Sequence, residues 1–200
     1  KDFLYARELG YAIKLLAIAR GGGDSVQLRV HPTLVPQDHM LAKVDGVFNA
    51  VEVEGDLIGR VLFHGRGAGR EPTSSAVLGD VVEVARRIRS GSEPAPTLEL
   101  EASRTVLPMS GLTSKYYLRL NVADTPGVLA QIAGILGDLN ISIASVLQKD
   151  VDPATQTAEI VVTTHPASEE AMQRSLALIE GLGAVRRINN MVRIEDWPVT

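Results

Sequence analysis

The sequence predicts an α+β protein: a mixed sheet-and-helix region followed by a βαββαβ unit. Three observations predict it. Several segments alternate apolar and polar residues between glycines and prolines, as strands do. Others repeat apolar residues at three- and four-residue spacing, as amphipathic helices do. Between the two regions lies "SGSEPAPTLELEASRTVLPMSG" (90–111), which holds three of the ten prolines and no sustained period.

The elements follow in order. Residues 2–20, "DFLYARELGYAIKLLAIAR", place Leu4, Ala12, Leu15, Leu16 and Ala19 at helical spacing, and "GGG" at 21–23 ends the helix. Asp2 and Glu8 early, with Lys14 and Arg20 late, suit the helix dipole. Val26, Leu28 and Val30 alternate as a strand that His31-Pro32 ends or bulges. A short helix spans about 38–43. "VFNAVEVEGDLIGRVLFHG" is a hairpin turning at Glu54–Asp56. "PTSSAVLGDVVEVARRIRSG" is a helix with Pro72 near its first turn and Gly91 just past it. The proline-rich stretch is a linker with one short strand.

The second half reads strand ("KYYLRLNVAD"), helix ("PGVLAQIAGILGDL"), strand ("ISIASVLQKD"), strand ("TAEIVVTT"), helix ("SEEAMQRSLALIEGL", capped by Ser168) and strand ("AVRRINNMVRIED"). This order is the ferredoxin-like motif. Charge changes with it: residues 1–90 hold 12 Lys/Arg against 11 Asp/Glu, and residues 91–200 hold 8 against 13. The expected division is 1–90, a linker at 91–112, and 113–200.

Composition bounds the function. With 45% hydrophobic and 22% charged residues the chain folds around a core. A net charge of -4 gives no basic field for nucleic acid or anionic membrane. The absence of cysteine removes disulfides, thiolate nucleophiles and Cys-zinc sites, and fits the cytoplasm. No apolar run reaches membrane-spanning length, and no signal peptide is visible. Lys1-Asp2 opens almost directly into a helix, as in a piece of a longer protein.

Two glycine-bearing turns precede helices. In "DTPGVLA" either Asp124 or Thr125 is placed to cap the helix, with Pro126 at its first position. The free N–H groups there suit a carboxylate, and Gly127 permits close approach. Asn140 stands at the far helix end, where a left-handed residue is tolerated. Capping and packing alone also explain these residues. In "HGRGAGRE" Gly65, Gly67 and Gly69 alternate before a helix, flanked by Arg66 and Arg70. Such a turn can approach a phosphate. A GxGxxG fingerprint would need glycine where Arg70 stands, and a flexible turn into a packed helix explains it equally. The four histidines make no metal pattern, so no metal site is expected. His64 reads as structural and His165 as exposed at a strand end.

"YYLRLNVADTPGVLAQIAGILGDLNISIASVLQKD" closely resembles an ACT domain, over about residues 113–197. The resemblance implies an amino-acid effector, threonine favoured, held by Asp124, Pro126, Gly127, Val128, Asn140 and Ile141. It also implies sheets that pair side by side in a homodimer or higher oligomer. "ELGYAIKLLAIAR", "VHPTLVPQDHMLAKVDGVFNAVEVEGD" and "GRGAGREPTSSAVLGDVVEVAR" together resemble the later two-thirds of a bacterial homoserine dehydrogenase catalytic unit. That resemblance implies an NADP- or NAD-dependent oxidoreductase in threonine, methionine and isoleucine biosynthesis. Gly69 and Gly67 would touch the cofactor, the helix from Pro72 would complete the nucleotide domain, and residues 2–63 would shape the substrate site and the dimer.

The family's amino-terminal GxGxxG unit and its DxxxxK segment have no counterpart in these residues. Lys14 precedes an apolar run, but Gly10 stands where that motif has Asp, so Lys14 reads as a surface lysine of a helix. No catalytic residue is therefore expected in the chain, which should be inactive and cofactor-free by itself. The alternative is a stand-alone amino-acid-binding or dimerisation module.

Overall fold

The computed structural model describes residues 1–91, 104–152 and 154–197. The chain forms two compact units, Lys1–Ala42 with Arg104–Thr200, and Lys43–Ser103. These do not follow chain order: the first joins residues from both sides of the proline-rich stretch.

The first unit opens with helix α1 (Asp2–Glu8), then the antiparallel strands β1 (Tyr11–Gly22) and β2 (Ser25–Pro36). This corrects the single helix expected over 2–20. Gly10 adopts φ +83°, a conformation that breaks a helix. After it, Ile13, Leu15, Ala17 and Ala19 alternate as well as they repeat helically, and all twelve residues of β1 pair with β2. The "GGG" run therefore closes a hairpin, with Gly22 opposite Ser25. Nor does His31-Pro32 end β2, since Pro32 lies in register opposite Leu15. Among the described residues β2 has no second strand neighbour between 27 and 32, so the missing proline N–H costs at most one ladder bond.

The second unit holds the hairpin β3 (Phe48–Gly55) and β4 (Gly59–Arg66), preceded by a 3₁₀ turn at the end of the first (Met40–Lys43). Helix α2 (Arg70–Ser90) follows and ends on Gly91 in a left-handed conformation. Most of the linker read over 91–112 lies outside the described residues. Its described end carries strand β5 (Thr105–Val106), which pairs with the start of β2.

The βαββαβ order is present as β6 (Thr113–Ala123), α3 (Val128–Asp138), β7 (Ile143–Asp152), β8 (Thr157–Thr164), α4 (Glu169–Glu180) and β10 (Val185–Ile194). A two-residue strand β9 (Ala167–Ser168) pairs with the start of β6. Ser168 caps α4, its Oγ accepting the Ala171 N–H at 3.2 Å.

One sheet runs β1-β2-β10-β6-β8-β7, so the ferredoxin-like order β10-β6-β8-β7 is extended by the β1–β2 hairpin. The join is parallel and short, Arg193 beside Thr33 and Ile194 beside Leu34.

Strand alternation gives this sheet two different faces. Tyr116, Leu118, Leu120, Val122, Ala158, Ile160 and Val162 pack under α3 and α4, against Ile132, Leu136, Met172 and Ile179. The opposite face presents Tyr117, Val161, Val192, Ile194 and Leu34, and Tyr5 and Ala6 of α1 cover it.

Candidate effector turn and glycine turn

β6 delivers the chain to the turn at 124–127. The Ala123 N–H donates to Ala184 O at 2.7 Å, and the Asp124 N–H to Gln156 O at 3.0 Å. The residue at the head of α3 is Gly127, at φ +89°, and no side chain caps the helix. This corrects the capping expected of Asp124 or Thr125 and the first helical position expected of Pro126, which precedes the cap. The first helical bond runs from the Gln131 N–H to Gly127 O at 3.1 Å, so the N–H groups of the first turn are left without helical acceptors. A β-carbon on Gly127 would meet nothing within 4 Å. Its conformation, not crowding, calls for glycine, and the space beside it is open. Asp124, Thr125, Pro126 and Gly127 are exposed, whereas Val128 is buried in the core.

At the other end of α3, Asn140 is left-handed (φ +57°). Its N–H donates to Gly137 O at 2.9 Å, and the Ile141 N–H to Leu136 O at 2.8 Å. This pair of bonds, with Ile141 and Leu136 both buried, is a Schellman cap. The eleven residues of α3 separate the two groups of predicted effector residues by about 16 Å. The structure thus keeps Asp124–Val128 together and places Asn140 and Ile141 at the opposite helix end.

The glycine turn lies in the second unit. The Gly67 N–H donates to Val47 O at 3.1 Å, and the side chain of Asn49 occupies the space a β-carbon on Gly67 would need. Gly69 stands at φ +129° and ψ 154°, a region essentially closed to other residues, and begins α2. His64 stacks on Phe48 with centroids 4.9 Å apart, and the Arg66 guanidinium lies 5.8 Å from the same ring. The first-turn N–H groups of Arg70 and Glu71 have no acceptor within the helix. Together with Arg66 and Arg70 they form a locally positive turn of the kind that can accept an anion.

Lys14 lies on β1 opposite Thr33, in a strand and not on the helix expected for it. His39 stacks on Trp197 at 3.8 Å, and His31 Nδ1 meets Thr33 Oγ1 at 3.0 Å. His165 is exposed. Among the described residues no group of three His, Asp or Glu side chains is placed to hold a metal ion.

Sequence reasoning missed two polar clusters. In one, Asp2 accepts from Tyr117 Oη (2.9 Å), Arg119 Nε (2.6 Å), Arg119 Nη2 (3.0 Å) and Asn190 Nδ2 (3.2 Å). Arg119 Nη1 also donates to Glu159 at 2.6 Å, which accepts from Lys1 Nζ (2.9 Å) and Tyr5 Oη (3.0 Å). Burial pushes the Asp2 and Glu159 carboxyls up, but these hydrogen bonds and the Arg119 charge outweigh it and hold both below their ordinary range. In the other, buried Glu169 accepts from Tyr116 Oη (2.9 Å), Gln173 Nε2 (2.8 Å) and Arg193, so its carboxyl is also held low against the pull of burial. Little local signal marks either cluster: apart from Gln173, one helical turn from Glu169, the partners of the three carboxylates are distant in sequence.

The fold defines the class: a ferredoxin-like βαββαβ sheet extended by a β-hairpin, in a chain that also carries a second α+β unit. Residues 1–82 match the homoserine dehydrogenase family model, and residues 116–183 match the ACT domain model. Homoserine dehydrogenase of Neisseria gonorrhoeae is 44% identical over 98% of this chain, which covers 46% of that protein. That of Helicobacter pylori is 41% identical, with 98% and 45% covered. The crystal structure of a homoserine dehydrogenase from Thiobacillus denitrificans superposes with a TM-score of 0.84 at 42% identity, over 98% of this chain and 45% of that one. The chain belongs to the homoserine dehydrogenase family and corresponds to its carboxy-terminal part. It spans less than half the length of the relatives it matches.

Proposed function

We propose that the chain is the carboxy-terminal part of a cytoplasmic, NAD(P)-dependent homoserine dehydrogenase under amino-acid feedback control. The order of the two matches along one chain carries this reading, dehydrogenase model first and ACT domain second. The whole protein interconverts L-homoserine and L-aspartate 4-semialdehyde in threonine, methionine and isoleucine biosynthesis. The nicotinamide cofactor supplies hydride transfer. Gly67 and Gly69 shape the turn that meets the cofactor, with Arg66 and Arg70 beside it. Residues 1–90 and 113–200 act as catalytic-framework and regulatory modules, although their strands share a sheet. The outward apolar residues of α2, Val77, Leu78, Val81 and Ile88, support its return to a nucleotide-binding domain. Purified by itself the chain should form no NADPH from homoserine and NADP; measurable turnover would overturn this assignment of the chemistry to other residues.

The ACT module takes a free amino acid, threonine favoured, at Asp124–Val128, where the N–H groups of the first turn of α3 that lack helical acceptors face its carboxylate. Asn140 and Ile141 stand too far along α3 to reach the same molecule within one chain, so they complete the site only through a second copy in a homodimer or higher oligomer. Calorimetry with threonine, serine, methionine and isoleucine tests the module, and heat from none of them would refute the effector role.

A further inference from the structure

We propose that α1 is the output element of the ACT unit: occupancy of the 124–128 turn by an amino acid and docking of α1 on the sheet are energetically coupled. The proposal rests on the reading that this turn binds an amino acid. Three observations carry it.

The sheet face opposite α3 and α4 is sealed by a helix that lies within the residues matching the dehydrogenase model. The regulatory sheet therefore packs directly on a piece of the catalytic framework. Secondly, the attachment is polar and directional. Asp2 receives hydrogen bonds from β6 (Tyr117 and Arg119) and β10 (Asn190), and Tyr5 donates to Glu159 of β8. Arg119 bridges the two carboxylates. A tilt of α1 must break several of these bonds at once.

Thirdly, the turn is fastened to the same three strands. It ends β6, its Asp124 N–H binds the residue before β8, and the Ala123 N–H binds the residue before β10. Arg119 lies only five residues up β6 from Asp124, about 17 Å along an extended strand paired on both sides. A displacement of the turn carried along these strands moves the donors that hold Asp2. Coupling of this kind is reciprocal: what the ligand does to α1, α1 does to the ligand's affinity.

Hydrogen exchange on the 200-residue chain, with and without saturating L-threonine, tests the proposal; L-isoleucine, L-methionine and L-serine are run separately. The expected result is a change of about fivefold or more in amide exchange over residues 2–9. Asp2→Asn should shift the calorimetric Kd by a similar factor, while Arg7→Gln, on the exposed side of α1, leaves it unchanged. Measurable binding with α1 exchange unaltered and the same Kd for Asp2→Asn would overturn the coupling alone. Should Asp2→Asn fail to fold, the wild-type exchange decides. No binding of any amino acid by the wild-type chain would instead overturn the reading of the turn, and the proposal with it.

Discussion

At the scale of single residues, two left-handed positions bracket α3 and differ in what they demand. Gly127 is held at φ +89° with open space around it. Gly127→Ala should therefore destabilise the fold by about 1–2 kcal/mol through backbone strain, with no clash to add. Asn140 serves a Schellman cap at φ +57°, so Asn140→Gly should be neutral or stabilising and Asn140→Ala destabilising by about 1 kcal/mol. Urea unfolding of the three variants measures both expectations. Arg119 belongs to another category of residue. It bridges two mostly buried carboxylates, and Arg119→Met should cost about 3 kcal/mol because it removes the cation they share and leaves Asp2 with neutral donors only.

Those carboxylates also set a pH dependence. Asp2, Glu159 and Glu169 are each held below their unfolded range in the native state. The unfolded chain therefore binds more protons wherever they titrate, and stability rises with pH there. Their contribution is complete above the unfolded values, near ~4, and is lost as pH falls through the lower folded values. Burial also holds His31 below its ordinary value, so the urea midpoint should decline gently below about 6.5 and fall steeply below about 4. A midpoint that rises on acidification would contradict the clusters.

At the scale of elements, the sequence was legible where one period dominates. β6 alternates cleanly because its two faces meet different cores, and α3 and α4 stand where their patterns put them; the β3–β4 hairpin is present too, but it turns at Asp56–Ile58, after the expected Glu54–Asp56, because Glu54 and Gly55 still pair with Arg60 and Gly59. The segment from Tyr11 to Arg20 was not legible, since its apolar residues satisfy both periods and only pairing with β2 decides between them. Pro32 misled for a related reason: proline ends a central strand, but among the described residues β2 has no second neighbour at that point. Of the candidate site, the positive φ of Gly127 and Asn140 could be read from residue type. The absence of a side-chain cap on α3 could not, because Asp124 and Thr125 are competent caps turned to other geometry. The capping of α4 was read correctly, and Ser168→Ala should lower stability by about 1 kcal/mol, measurable by thermal unfolding.

At the scale of the whole molecule, chain order and packing order diverge. The family boundaries follow the chain, yet the sheet of the ACT match is extended by β1 and β2 and its other face is covered by α1. With β2 beside β10, the outer strands of this sheet among the described residues are β1 and β7. β7 carries two register breaks against β8, the kind of irregularity that discourages edge pairing. The outward face of the β1–β2 hairpin pairs Leu15 with Pro32, Ala17 with Val30 and Ala19 with Leu28, all exposed.

The central claim is that the turn entering α3 senses a free amino acid. Titration calorimetry of the chain and of Gly127→Asp with L-threonine tests it most directly, since a carboxylate placed at that turn repels the ligand's own. The account predicts saturable heat with the wild-type chain and its loss in the variant, with the fold confirmed by circular dichroism. Equal affinity in the two proteins would contradict it.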